Sequence, residues 1–252
     1  MSAFQSSSAF GNMPEVVKNL LIINGLFFLA TIALKPQGID LEVYFAAFYW
    51  KSILFEPWQI VTHMFMHASF PHIFFNMFAL WMFGSAIERI WGGKRFLLYY
   101  LVTGFGAFIL HYLVVAYQIE QLLPQVSSEM LEVIKTEGAQ LVINNRNYTD
   151  PVIGKLNGLY NGPVVGASGA VFGILLAFGM MFPNTRLMLL FFPVPIKAKY
   201  FVIGYGAIEL FSGIANQPGD NVAHFAHLGG MLFGFILIKY WNSNKGNSSY
   251  GH

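Results

Sequence analysis

The chain contains no cysteine. That rules out a disulfide framework, a thiol nucleophile and a thiolate metal site. Charge is scarce as well: 10% of the residues are Asp, Glu, Lys or Arg, against about 25% in an average soluble domain. The net charge of +2 carries no basic stripe for a nucleic-acid backbone, so no nucleic-acid partner is expected. The His-Glu-x-x-His pattern of zinc proteases is missing, which argues against a metal site. Met1–Met13 is polar and serine-rich without a basic n-region, unlike a cleaved signal peptide. No internal repeat is visible, which argues against an inverted-repeat transporter.

What is abundant is apolar surface: 56% hydrophobic residues and a mean hydropathy of +0.54. The sequence predicts an all-α polytopic membrane protein with six apolar spans, Val16–Leu34, His72–Ile90, Phe96–Tyr117, Ser168–Phe182, Tyr200–Ala215 and His224–Tyr240. Residues 1–15 read as a polar cytoplasmic tail, 16–241 as the membrane domain, and 242–252 as a second cytoplasmic tail. Charge chooses the orientation. With both termini in the cytoplasm, Lys18, Arg89, Lys94, Arg95, Arg186, Lys197, Lys199, Lys239 and Lys245 all fall inside, as the positive-inside rule asks. Two long outside connections remain. Lys35–Pro71 is rich in aromatics suited to the membrane interface. The insertion at about 118–165 holds an amphipathic helix near Ser127–Glu137 and a polar loop at Asn144–Asp150.

Polar residues inside these spans are costly, so each is a functional candidate. Counting up from the cytoplasmic ends at about 1.5 Å per residue, Ser168 lies roughly 22 Å up, His227 roughly 18 Å, His72 roughly 24 Å and Asn76 roughly 18 Å. Three distant segments thus deliver polar groups to one layer, the outer half of a hydrocarbon core about 30 Å thick. Ser168 stands among small residues in Gly166-Ala167-Ser168-Gly169, with its hydroxyl accessible from outside. A serine needs a base to take its proton, and His227 is the candidate. His72 and Asn76, four residues apart, share one helix face. With the Ser168 backbone N–H they can donate to a developing oxyanion, at about 2.7–4 kcal/mol per donor. No acidic residue is near His227 in sequence, so a Ser-His dyad is expected rather than a triad.

The order of these motifs resembles the rhomboid family of intramembrane serine proteases over nearly all of Met13–Trp241. It runs His67-Ala68-Ser69, then His72-Ile73-Phe74-Phe75-Asn76, then Gly166-Ala167-Ser168-Gly169, then Ala226-His227 with Gly230 and Gly234. The resemblance implies a six-helix bundle of rhomboid type, with Ser168 as nucleophile, His227 as base, and His72 and Asn76 as oxyanion-hole donors. It implies cleavage of transmembrane protein substrates in the lipid bilayer, near the outer ends of their spans, without metal or cofactor. It also implies that the fifth helix and the following loop, Tyr200–Ala223, act as a substrate gate. Two departures stand out: Trp58-Gln59 where many members carry Trp-Arg, and Phe172 where some place a tyrosine to stack under the base. A six-span chain without further domains fits a bacterial cell inner membrane, with both termini cytoplasmic.

Plainer readings compete. Gly-x-Ser-Gly in a membrane helix often serves packing alone, and a buried histidine often just bonds a neighbouring helix. His63 and His67, and His224 before His227, invite zinc, but a hydrogen-bonding role for His63 and His67 in the first outside loop is preferred. Glu209, alone in the fifth span, reads as a structural hydrogen-bond partner. The alternative to a protease is a catalytically silent rhomboid-like protein that binds membrane clients.

Overall fold

In the computed structural model, residues 13–189, 192–215 and 223–247 are described. Most of the two polar tails and part of the expected gate, residues 216–222, therefore lie outside the described residues.

The chain begins with α1 (Glu15–Leu34), α2 (Leu41–Phe45), α3 (Gln59–Thr62) and α4 (Phe70–Ala79). A π-turn at Leu80–Gly84 carries α4 into α5 (Ser85–Trp91). Then come α6 (Gly93–Leu122), α7 (Ser128–Thr136), α8 (Gly138–Ile143), α9 (Pro151–Asn161) and α10 (Ser168–Met181). A hairpin of β1 (Arg186–Leu189) and β2 (Phe192–Lys197) leads to α11 (Ala198–Ala215) and α12 (His224–Asn247). The antiparallel hairpin is a small departure from the expected all-α chain. Each apolar span read from the sequence is helical, with α12 running past the expected start of the C-terminal tail to Asn247.

Three helical segments among the described residues are long and apolar enough to cross a membrane: Glu15–Gln37, Phe70–Trp91 and Gly93–Gln125. Their outward faces are apolar too, with Leu26 and Leu29 on α1 and Leu113 on α6 more than half exposed. Lipid, not water, is the solvent that such faces tolerate. The ends are set locally. The Ser69 hydroxyl accepts from the His72 N–H at the start of α4. Asp150 caps α9 by accepting from the Val152 and Ile153 N–H groups, both at 2.9 Å. Glu88 is buried. Its two oxygens accept the Val16 and Val17 N–H groups at 2.9 and 2.8 Å, satisfying the amino end of α1 from another helix.

The centre is a triad of helices, α6, α10 and α12, pressed together at glycines. A Cβ on Gly230 would run into the Gly169 carbonyl, and one on Gly173 would meet Thr103. Tyr99 donates its hydroxyl to the Gly173 carbonyl at 2.8 Å across the same seam. Small residues let backbones approach where the hydrophobic effect gives no drive for association.

The insertion at about 118–165 is a folded layer and not a loose connection. Ser127 caps the amphipathic α7 as expected, but α8, α9 and a second core of Tyr49, Tyr112, Ile134, Leu156 and Tyr160 had no clear periodic signal. Asparagines tie it together. Asn161 donates to the Ile134 carbonyl at 3.0 Å and to Asn157 Oδ1 at 2.9 Å, and accepts from the Ser52 hydroxyl at 2.7 Å. That last bond fastens the layer to the first outside loop.

Candidate active site

The first outside loop is the platform beneath the site. Gln59, fully buried where the family resemblance led one to expect arginine, accepts the Glu56 N–H at 3.0 Å and donates to the Leu54 carbonyl at 2.9 Å. The Trp58 indole donates to the Tyr44 carbonyl at 2.9 Å. The departure from Trp-Arg therefore leaves the loop anchored. His63 donates from Nδ1 to the Gln59 carbonyl at 2.8 Å, and its own carbonyl accepts the Gly166 N–H at 2.9 Å. Burial drives the His63 pKa down to about 4, holding the ring neutral. His67 does not hydrogen-bond the loop as expected: neither ring nitrogen has a partner, and the ring packs edge-on against His72 with centroids 5.0 Å apart.

From this platform the chain reaches α10 through Ala47 and Val164, paired by two backbone bonds of 2.9 and 2.8 Å. Gly166 then adopts φ +128°, a conformation that glycine reaches without strain. A Cβ here would stand 2.8 Å from His72 Nε2 and 3.4 Å from Ser168 Oγ. The missing side chain is what lets the His72 ring edge lie beside the serine. Ser168 opens α10, so its own N–H belongs to the first turn, whose amides have no partner within the helix. Its side chain is only partly buried.

Across the glycine seam, α12 presents His227. Its Nε2 lies 2.9 Å from Ser168 Oγ. The Phe172 ring lies flat beneath the imidazole, with centroids 4.1 Å apart and planes 6° from parallel. A phenyl ring thus performs the stacking that a tyrosine was expected to perform. Asn76 is buried one turn beyond His72, and its side-chain nitrogen donates to the His72 carbonyl at 3.1 Å. One of its two amide hydrogens is therefore committed to its own helix, leaving the second.

The other face of His227 holds what the sequence concealed. Nδ1 lies 2.8 Å from Glu209 Oε2 on α11, so His227 has an acidic neighbour after all. The dyad expectation looked only for a carboxylate nearby in sequence, and Glu209 is 18 residues away. Its cost in an apolar span was the available signal, read as a structural bond. His224 Nδ1 approaches the same oxygen at 2.6 Å. Glu209, His224 and His227 are also the one cluster among the described residues with metal-ligand proximity. Hydrogen bonding accounts for it: two ligands at about 2.0–2.1 Å around tetrahedral zinc stand roughly 3.3 Å apart, farther than these contacts.

A serine hydroxyl against an imidazole, with apolar helices around it, defines the class: a helical membrane protein with a partly buried Ser-His pair. Residues 54–243 match the rhomboid domain, most of the chain. The protein belongs to the rhomboid family. It is 28% identical over 228 residues to RHOMBOID-like protein 6, mitochondrial, of Arabidopsis thaliana, covering 86% of this chain and 57% of that protein. It is 27% identical over 182 residues to Rhomboid protein 1, mitochondrial, of Saccharomyces cerevisiae, covering 72% and 41%. With Rhomboid protease GluP of Bacillus subtilis it shares 28% over 181 residues, covering 72% and 25%. The chain thus spans between a quarter and just over half of these relatives' lengths. The mitochondrial names of two of them overturn the expected placement in a bacterial cell inner membrane, while a multi-pass membrane protein stands.

Proposed function

We propose that this protein is an intramembrane serine endopeptidase that hydrolyses peptide bonds in or near the transmembrane segments of other membrane proteins. The observation that carries the reading is the 2.9 Å approach of His227 Nε2 to Ser168 Oγ, between helices that a membrane would enclose. In this reading all six apolar segments span the bilayer, and residues 16–241 form one membrane domain. The membrane is a mitochondrial one, after the relatives so named.

His227 Nε2 takes the hydroxyl proton as Ser168 Oγ attacks the scissile carbonyl carbon. The carbonyl oxygen becomes an oxyanion, received by the Ser168 N–H, the free amide hydrogen of Asn76 and the His72 ring N–H. His227 passes its proton to the departing amine as the peptide bond breaks, leaving an acyl ester on Ser168. Water enters, loses a proton to His227 Nε2 and attacks the ester; the proton returns to Ser168 Oγ as the acid leaves. The chemistry uses the chain's own side chains and backbone.

The test is cleavage of a single-span protein substrate in liposomes by the purified chain, beside Ser168→Ala and His227→Ala. Cleavage lost in both variants at unchanged melting behaviour is the expected result, together with loss of fluorophosphonate labelling in Ser168→Ala. Cleavage that persists in Ser168→Ala overturns the reading. A wild type that binds clients without cutting them, and takes no label, would establish the silent alternative.

A further inference from the structure

The base does not stand alone, and its second partner sits on a different kind of helix. We infer that Glu209 is a positioning residue that makes His227 a competent base, and that α11 supplies it only when seated against α12. The inference rests on the serine-protease reading above and deepens it.

Tautomer selection is the first ground. A neutral imidazole carries one N–H, and an ionised carboxylate can only accept. With Glu209 Oε2 at 2.8 Å, the hydrogen is drawn to Nδ1. Nε2 is then left with its lone pair facing the Ser168 hydroxyl at 2.9 Å. Without the carboxylate the ring is free to take the opposite tautomer, which offers the serine an N–H and takes no proton. The carboxylate also faces the positive charge that the ring gains during attack.

The carboxylate is itself held. His224 Nδ1 lies 2.6 Å from the same oxygen, one turn before His227 on α12. The Glu209 side chain is only 6% exposed, and those of His224 and His227 are 13% and 11% exposed. A lone carboxylate at this depth would be expensive, and two imidazole donors converging on one oxygen offset that cost.

The third ground is where Glu209 resides. Along α11 the buried residues are Ala198, Val202 and Glu209, of which Glu209 alone is polar. Ile203, Phe211 and Ile214 face outward at 68%, 75% and 69% exposure. Near Glu209, α11 meets α12 at Gly213, where a Cβ would touch the His224 and Phe225 side chains at 3.0–3.2 Å. Moving α11 away from α12 would therefore withdraw the carboxylate while His227 kept its place on the glycine seam. Seating of α11 and arming of the serine are one event.

The experiment compares wild type, Glu209→Gln, Glu209→Asp, His224→Ala and Ser168→Ala as full chains in liposomes. It reads kcat and KM separately, the rate of fluorophosphonate labelling, and the melting temperature. Glu209→Gln keeps the shape but not the charge. It is expected to hold KM within about twofold and to lower kcat and the labelling rate together by about 10²-fold or more, against the roughly 10⁴-fold lost when a serine-protease triad loses its carboxylate. Glu209→Asp, still a carboxylate, is expected to recover part of kcat, and His224→Ala to lose only a few-fold. Glu209→Gln turnover equal to wild type, beside a dead Ser168→Ala, overturns this inference and leaves the protease reading intact. Active Ser168→Ala sinks the protease reading itself. Should Glu209→Gln not fold, Glu209→Asp decides. Native-like melting with reduced kcat and labelling at unchanged KM supports the positioning role, and unchanged kcat and labelling overturn it.

Discussion

Helices α11 and α12 both lend titratable groups to one cluster, Glu209 from the first and His224 and His227 from the second, yet they are held in different ways. His227 rides on a helix pressed against α10 and α6 through Gly229 and Gly230, where backbone meets backbone, and through Gly234, which lies against the Tyr99 and Thr103 side chains. Glu209 rides on a helix with few buried residues and an outward row of large apolar side chains. Close packing of small residues leaves no slack, because any displacement opens a void or forces a clash. Apolar side chains facing lipid confer no such fixity, since lipid tails replace a lost neighbour at little cost. The contrast teaches that Ser168 and His227 are built into the scaffold. The Glu209 carboxylate is supplied from the less tightly packed helix.

The comparison can be broken hardest on the fixed side. Gly230→Val drives a side chain into the Gly169 carbonyl, and overpacking of this kind costs about 1–3 kcal/mol. The greater effect is on chemistry: a shift of α12 by about 1 Å separates Nε2 from Oγ, and misplacement on that scale costs about 10²-fold. Loss of cleavage with a lowered melting temperature is the expected outcome; wild-type turnover would show that the seam is not what places the base.

A pH series tests the platform under the fixed side. The buried His63 ring titrates near 4 instead of 6.5. As pH falls below 6.5, the unfolded chain binds a proton that the folded chain refuses. Stability is therefore full above pH 6.5, falls between 6.5 and about 4, and levels off below. The full shift corresponds to about 3 kcal/mol. His63→Gln should flatten that part of the melting curve; an unchanged slope would refute the assignment.

The smallest effect is expected on the loosely held helix. Phe211, 75% exposed on α11, should tolerate Phe211→Ala within about 0.5 kcal/mol of stability. A large fall in melting temperature would mean that α11 is fastened as tightly as α12, and the contrast between them would fail.

Much of the molecule was legible in one dimension. Apolar runs of membrane length, bounded by charge and glycine, read as helices, because hydrocarbon admits only helices and closed barrels and a barrel strand needs only about 9–11 residues. Ser168, His227, His72 and Asn76 stood out because polar groups at that depth are costly. Two things were not legible. The outside layer is held by Asn147, Asn157 and Asn161 bonding one another and distant carbonyls, and single asparagines in a polar stretch look like turn residues. Glu209 was visible as an anomaly, but no periodicity says which helix faces which.

The sequence by itself determined that this chain is a helical membrane protein carrying a serine, two histidines and an asparagine at a common depth. Hydrophobic length and the cost of buried polarity are local properties, readable residue by residue. Only the tertiary structure decided that Glu209 meets His227, that Phe172 lies flat beneath the imidazole, and that Gly166 opens a place for His72. Such pairings depend on how helices rotate and slide against one another. That is set by side chains far apart in the chain, acting together.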